Sequence, residues 1–236
     1  MQVRDIAKMI DHSILHPTFT DDDVRKNCEL AKRHHVATAC VKPCHAKLAR
    51  VILANSDVAV CAVVGFPHGN STIEIKSAEA FQVISDGAVE VDMVINIGKV
   101  LQRDWSYVSR EIQEVNRLCT TNQAILKVIF ETDFITNDDD KIRLCKLCSE
   151  HKVAFAKTST GYGFVKDAGG NYSYVGATEH DLRLMRKHCA PEVQIKASGG
   201  VRTLDQILRM RDLGVTRVGA TATESIIEEA RNRFKY

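Results

Sequence analysis

Eight short runs of β-branched and other apolar residues, each followed by an amphipathic stretch, constrain this chain more than any other feature of its sequence. The runs fall at 10–14, 36–41, 58–64, 89–95, 124–130, 153–157, 193–197 and 215–219. Segments such as VAVCAVVGF and ILKVIF are apolar at nearly every position, as strands buried on both faces require. Between the runs, DDDVRKNCELAKRHH and SYVSREIQEVNRLC carry apolar residues at helical spacing. Strand–helix units repeated eight times in 236 residues predict an α/β fold, a single (β/α)8 TIM barrel spanning 1–236. The alternative, a doubly wound open sheet, would carry a G-x-G-x-x-G or G-x-x-x-x-G-K turn after its first strand, and neither motif occurs.

Charge and composition narrow the function. The 32 basic and 30 acidic residues are well mixed, and no basic arm or aromatic-interleaved stripe suits nucleic acid. No run approaches the roughly 18 apolar residues of a membrane span. The opening MQVRDIAKMIDHS is too polar for a signal peptide, so a cytoplasmic chain is expected. The eight cysteines then read as thiols. Cys28, Cys40, Cys61 and Cys119 sit among apolar neighbours and read as core side chains. Cys145, Cys148 and His151 share a helical face but lack a fourth ligand, so helix packing is expected there and no metal. The same reading covers Cys40, Cys44 and His45.

A charged residue is rarely buried without a partner. Four runs nevertheless hold one: Asp92 in EVDMV, Lys127 in ILKVIF, Lys157 in AFAKTSTG and Lys196 in QIKASGG. At corresponding strand positions these side chains would converge on one axial pocket. An ion-pair network is the bland alternative, although three ammonium groups around one carboxylate would be poor design for stability. Convergent lysines suit amine catalysis, because a nucleophilic lysine must be neutral. A second ammonium about 5 Å away, at an effective dielectric near 20, disfavours the charged form by roughly 3 kcal/mol. Desolvation acts in the same direction. Lys157 and Lys196 therefore read as a reactive and a charged lysine, with Asp92 balancing charge and moving protons.

An anion site is expected beside them. Ser198-Gly199-Gly200-Val201-Arg202-Thr203 follows the seventh run, and Gly219-Ala220-Thr221 follows the eighth. Loops after strands seven and eight are the usual phosphate site of such barrels. Thr203 with Gln206, and Thr221 with Glu224, have capping-box spacing, which predicts a helix N-terminus at each turn. The segment 158–177 is long for a strand-to-helix connection and reads either as a functional lid or as a surface insertion.

These motifs resemble the deoxyribose-phosphate aldolase family over essentially the whole chain. The resemblance rests on Ile10-Asp11-His12-Ser13, Gly65-Phe66-Pro67-His68-Gly69, Glu90-Val91-Asp92, Leu126-Lys127-Val128-Ile129, Lys157-Thr158-Ser159-Thr160-Gly161 and Lys196-Ala197-Ser198-Gly199-Gly200-Val201-Arg202-Thr203. It implies a class I aldolase that splits 2-deoxy-D-ribose 5-phosphate into acetaldehyde and glyceraldehyde 3-phosphate without a metal or organic cofactor. The family's Schiff-base lysine falls on Lys157, its activating lysine on Lys196 and its proton-relay aspartate on Asp92. Asp11 and Lys127 become supporting pocket groups, and the phosphate contacts fall on Gly161, Gly199, Gly200, Gly219 and Thr221. The expected partners are small sugar phosphates and aldehydes, with no nucleic acid and no membrane, and a homo-oligomer stays open. Two departures lie at the phosphate end: about ten extra residues around 164–174, and Ala222 where the family often has a serine. The terminal Tyr236 is not assigned to the site. Rival readings are an aldolase of the same family acting on another aldehyde, phosphorylated or not, an isomerase or lyase without an imine, and a non-catalytic phosphate-binding barrel.

Overall fold

A computed structural model describes residues 1–234, and in it the eight runs become the staves of one closed barrel. They are β1 (Ile10–Ile14), β2 (Thr38–Val41), β3 (Ala59–Val64), β4 (Glu90–Val94), β5 (Ile125–Ile129), β6 (Phe155–Lys157), β9 (Gln194–Ser198) and β10 (Val215–Ala220). They pair in parallel in that order, and β10 closes onto β1. Between β6 and β9 the long loop folds into a two-stranded antiparallel hairpin, β7 (Val165–Lys166) and β8 (Tyr172–Ser173), which the apolar pattern does not predict. Tyr236 lies outside the described residues.

Several strands begin later than their apolar runs. Val36 and Val153 are fully buried, but their N–H groups donate to Ala31 O (3.3 Å) and Cys148 O (3.0 Å), closing the preceding helices rather than joining the sheet. Burial therefore starts before ladder pairing, which apolarity alone does not distinguish.

The outer layer consists of α1 (Val3–Ala7), α2 (Asp21–Arg33), α3 (Ala46–Ile52), α4 (Ile73–Ser85), α5 (Ile97–Leu101), α6 (Trp105–Thr121), α7 (Asp138–Glu150), α8 (Glu179–His188), α9 (Leu204–Asp212) and α10 (Thr223–Arg233). In α6 the buried Val108, Ile112, Val115 and Cys119 recur at helical spacing, and Asp104 caps the first turn by accepting from the Tyr107 N–H at 3.2 Å. Thr203 opens α9 with the expected capping box. The box expected at Thr221 does not form, because α10 begins one residue later with Ala222 at its cap and no capping side chain. The nearest hydroxyl, Thr223 Oγ1, is instead 2.8 Å from His12 Nδ1. No helix among the described residues is long and apolar enough to cross a membrane.

One ion pair is buried entirely in the helical layer. Lys76 Nζ lies 2.7 Å from Glu111 Oε1 and donates to Val94 O at 2.7 Å, while Glu111 Oε2 accepts from the Asn96 N–H at 2.9 Å. Both side chains have 0% exposure, so neither charge has water as a substitute partner. The pair ties α4 and α6 to the C-terminal end of β4. Removing one member of a buried pair costs about 3–5 kcal/mol. Glu111→Leu is therefore expected to lower Tm by about 10 °C in calorimetry, and adding Lys76→Met should recover much of the loss. A shift in Glu111→Leu of no more than a degree or two would show that the pair is not needed.

Candidate active site

Strand alternation sends every second side chain into the barrel, and here many of those are ionised. Asp11 on β1 points inward. Its neighbour His12 points outward, between Thr223 and Asn27, and Ser13 faces inward again at the pocket. The Asp92 carboxylate, 0% exposed, receives three ammonium groups: Lys157 Nζ and Lys196 Nζ each lie 2.7 Å from Oδ2, and Lys127 Nζ lies 2.8 Å from Oδ1. Lys196 also reaches Asp11 Oδ2 at 2.5 Å. The structure thus brings together all five groups expected around the lysine site.

The register separates their roles. Lys157 pairs with Lys196 across β6 and β9, while Lys127 pairs with Phe155, two residues below Lys157. Lys127 therefore occupies a deeper layer than the other lysines, a correction to the expectation of equivalent strand positions. It is bound there by Glu90 Oε2 at 2.6 Å as well as by Asp92, with Asp11 Oδ2 at 3.6 Å.

The three lysines do surround one carboxylate, Asp92, but the cluster is larger than expected. Lys127, Lys157, Lys196 and Arg217 face Asp11, Glu90 and Asp92, so four basic side chains meet three carboxyl groups. Arg217 Nη1 lies 2.6 Å from Asp11 Oδ1 and 2.9 Å from Glu90 Oε2. Glu90 and Arg217 were missed because each sits near a strand start, where charged residues usually face water. The available signal was parity: Glu90 lies two residues before Asp92 and so shares its face. Cys40 and Cys61 are core side chains as expected, in a smaller cluster with Leu15 and Val63, and they also border the charged groups. Cys61 Sγ donates to Asp92 Oδ1 at 3.1 Å, and Cys40 is its neighbour across β2 and β3. Cys28 and Cys119 do belong to the main core.

Burial and charge compete at each group. Burial alone would raise the Asp92 carboxyl, but Lys127, Lys157 and Lys196 outweigh it and hold the group well below the usual carboxylate range. Burial likewise disfavours the Lys196 ammonium, and Asp11 and Asp92 overcome this to hold it above the usual lysine range. Lys196 thus remains charged at neutral pH. Cys40, Cys61 and Asp92 are close enough to share a cation, but the three ammonium groups already on Asp92 oppose one. Cys145 and Cys148 are buried in the core, and His151 Nε2 lies 2.8 Å from Ser109 Oγ, as packing rather than ligation requires.

Above the cluster opens a cavity of about 740 Å³, and of these seven charged side chains only Lys157 lines it. Gly161, Gly199, Gly200, Gly219 and Thr221 line it too, with Arg202 at the rim. Gly199 (φ +88°) has no room for a side chain, since a Cβ would come within 2.8 Å of Gly176 Cα. Thr158 Oγ1 donates to Ser198 O and accepts from its N–H, both at 3.0 Å, locking the ends of β6 and β9 together. Phe164 and Tyr174, flanking the hairpin, meet edge to face at 5.4 Å over the cavity.

A family model described as DeoC/LacD family aldolase matches residues 6–221. The chain belongs to this family. A deoxyribose-phosphate aldolase of Rhodopirellula baltica is 46% identical over 99% of this chain and 92% of its own length. One from Thermococcus gammatolerans is 43% identical over 97% of each. Among solved structures, the aldolase QR15 superposes with a TM-score of 0.87 at 30% identity, covering 98% of this chain and 99% of its own. The tetrameric deoxyribose phosphate aldolase of Aeropyrum pernix shares the fold with a TM-score of 0.86 at 24% identity, covering 98% of this chain and 93% of its own.

The charged cluster carries a pH signature. A carboxyl held below its ordinary range contributes stability that is present above the unfolded value, near 4, and is lost as pH falls through the folded one. Asp92→Asn should therefore be much less stable than the parent chain in urea at pH 7, and the difference should shrink steadily below about pH 4. A difference that stays constant down to pH 3 would mean that Asp92 stabilises by shape and not by charge.

Proposed function

We propose that this protein is a class I aldolase that reversibly cleaves 2-deoxy-D-ribose 5-phosphate into acetaldehyde and glyceraldehyde 3-phosphate. The observation that carries the reading is that, of the clustered charged side chains, only Lys157 lines the cavity, and it shares that lining with Gly161, Gly199, Gly200 and Gly219. The names of the relatives support it.

Lys157 attacks the C1 aldehyde of the open-chain sugar, and loss of water gives an iminium. The C3 hydroxyl then loses its proton, the C2–C3 bond breaks, and its electron pair flows into the iminium to form an enamine. Glyceraldehyde 3-phosphate leaves, C2 is protonated, and water releases acetaldehyde and regenerates the amine. Lys196 stays ionised beside Lys157, and Asp92 orients both amines and serves their proton transfers. No electron sink beyond the lysine imine is required.

The phosphate end rests on backbone. Gly199, Gly200 and Gly219 leave their N–H groups unobstructed by side chains, α10 opens without a capping side chain next to Thr221, and Arg202 adds a cation. A cytoplasmic location and association into a homo-oligomer fit the same reading.

Gly200 has φ +78°, a conformation that aspartate tolerates better than most residues, and the nearest atom to an added Cβ is Val175 O at 3.6 Å. Gly200→Asp places a carboxylate where the phosphate dianion is expected. At an effective dielectric near 20, one such charge about 5 Å from a dianion costs roughly 6 kcal/mol before screening. The test is acetaldehyde release, measured as kcat/KM, from 2-deoxyribose 5-phosphate and from 2-deoxyribose. The parent chain is expected to prefer the phosphorylated sugar, and the variant to lose at least about a hundredfold on that sugar alone. No acetaldehyde from either sugar overturns the proposal, and equal losses on both overturn the phosphate site.

A further inference from the structure

The hairpin, whose flanking Phe164 and Tyr174 line the cavity, leaves the barrel after β6 and returns before α8, and the segment after β5 holds both of its stems. On the outgoing side, the Glu131 carboxyl accepts from the Thr160 N–H at 3.3 Å and from the Thr160 hydroxyl, and that hydroxyl accepts from the Tyr162 N–H at 2.9 Å. Gly163 packs so closely on the same carboxyl that a Cβ there would come within 2.8 Å of Glu131 Cδ. On the returning side, Asp133 Oδ1 accepts from the Val175 N–H at 2.6 Å and the Gly176 N–H at 3.1 Å. Gly176 in turn lies against Gly199, and the Ala177 N–H donates to Gly199 O at 3.2 Å. The two carboxyls therefore fix where the hairpin sits, and with it Phe164, Tyr174 and the Gly199–Gly200 turn.

Stability alone is a poor reason for such an arrangement. Glu131 has 0% exposure and no cationic partner among the described residues, and its backbone sits at φ +59°, where a residue with a side chain is strained. Strain and a buried carboxyl held by hydrogen bonds but by no ion pair, at the catalytic end of a barrel, point to function. Burial pushes the Glu131 carboxyl up to about 7, because Thr160 offsets the lost hydration only in part. The neutral form that burial favours, one donor and one acceptor, is the form that glutamine copies.

We propose that Glu131, acting with Asp133, is a positioning residue of the aldolase: the two carboxyls clamp the 160–176 hairpin over the cavity and thereby set recognition of the phosphorylated end of the substrate. The proposal rests on the aldolase reading for its kinetic consequence, but not for its structural one. Glu131 touches no reacting atom. Loosening the clamp leaves Lys157 and the charged cluster in place and displaces the Phe164–Tyr174 cover and the Gly199–Gly200 turn.

The test compares Glu131→Ala, Asp133→Ala and Glu131→Gln with the parent chain. Chymotrypsin cleavage after Tyr162, Phe164, Tyr172 or Tyr174 reports hairpin opening without any substrate. Both alanine variants should be cut about tenfold faster or more, as expected for losing a buried hydrogen bond, and the glutamine variant should match the parent chain. With 2-deoxyribose 5-phosphate, the alanine variants should raise KM about tenfold while kcat changes less than threefold, and glutamine should restore KM. Unchanged cleavage in both alanine variants overturns the clamp. Faster cleavage with an unchanged KM overturns its role in recognition, as does an equal fall of kcat and kcat/KM. Glu131→Ala is the more disruptive change, and if it does not fold, the half-exposed Asp133 carries the same two readouts. If the parent chain cleaves no sugar phosphate, the aldolase reading fails, and proteolysis alone decides the clamp.

Discussion

Everything in this molecule that bears on chemistry depends on one carboxylate, Asp92, shared by three ammonium groups at the axis of a closed barrel. A buried carboxylate is costly, and so is each buried ammonium. Together, with Asp11, Glu90 and Arg217 completing the set, they nearly neutralise one another across six of the eight barrel strands. That neutrality lets the barrel hold ionised lysines in its interior. The one lysine with a face toward the cavity can then be reactive while its neighbours stay charged.

Register determines which lysine that is. Because Lys157 and Lys196 pair directly, both reach the upper layer; because Lys127 lies two residues lower, it is consumed by Glu90 and Asp92. Lys196 is turned away from the cavity by Asp11. The same alternation puts His12 outside the barrel, where it joins α2 to α10 and takes no part in the site.

The eight strands and the lysine–aspartate set were legible in the sequence because both rest on local pattern: apolar runs of strand length, and charges where charges are rarely buried. What escaped depends on three-dimensional partners. Glu90 and Arg217 look like strand-end surface groups until closure brings β4 and β10 to the same axis. Lys76 and Glu111 lie 35 residues apart, and only the packing of α4 on α6 brings them together. Thr221 has capping spacing, but the helix starts one residue later and its first hydroxyl serves His12. The hairpin of 158–177 has strands of only two residues, too short to leave a periodic signal. Its placement is decided by Glu131 and Asp133, which look like ordinary loop acids.

The division of labour around Asp92 has a direct chemical test. Acetaldehyde is small enough to reach Lys157 without engaging the Gly199–Gly200 turn or the hairpin. Treated with acetaldehyde and borohydride, the protein should acquire one two-carbon group, located by peptide mass spectrometry on Lys157 and on no other lysine. A label on Lys196 or Lys127, or a chain that resists labelling altogether, would contradict the account.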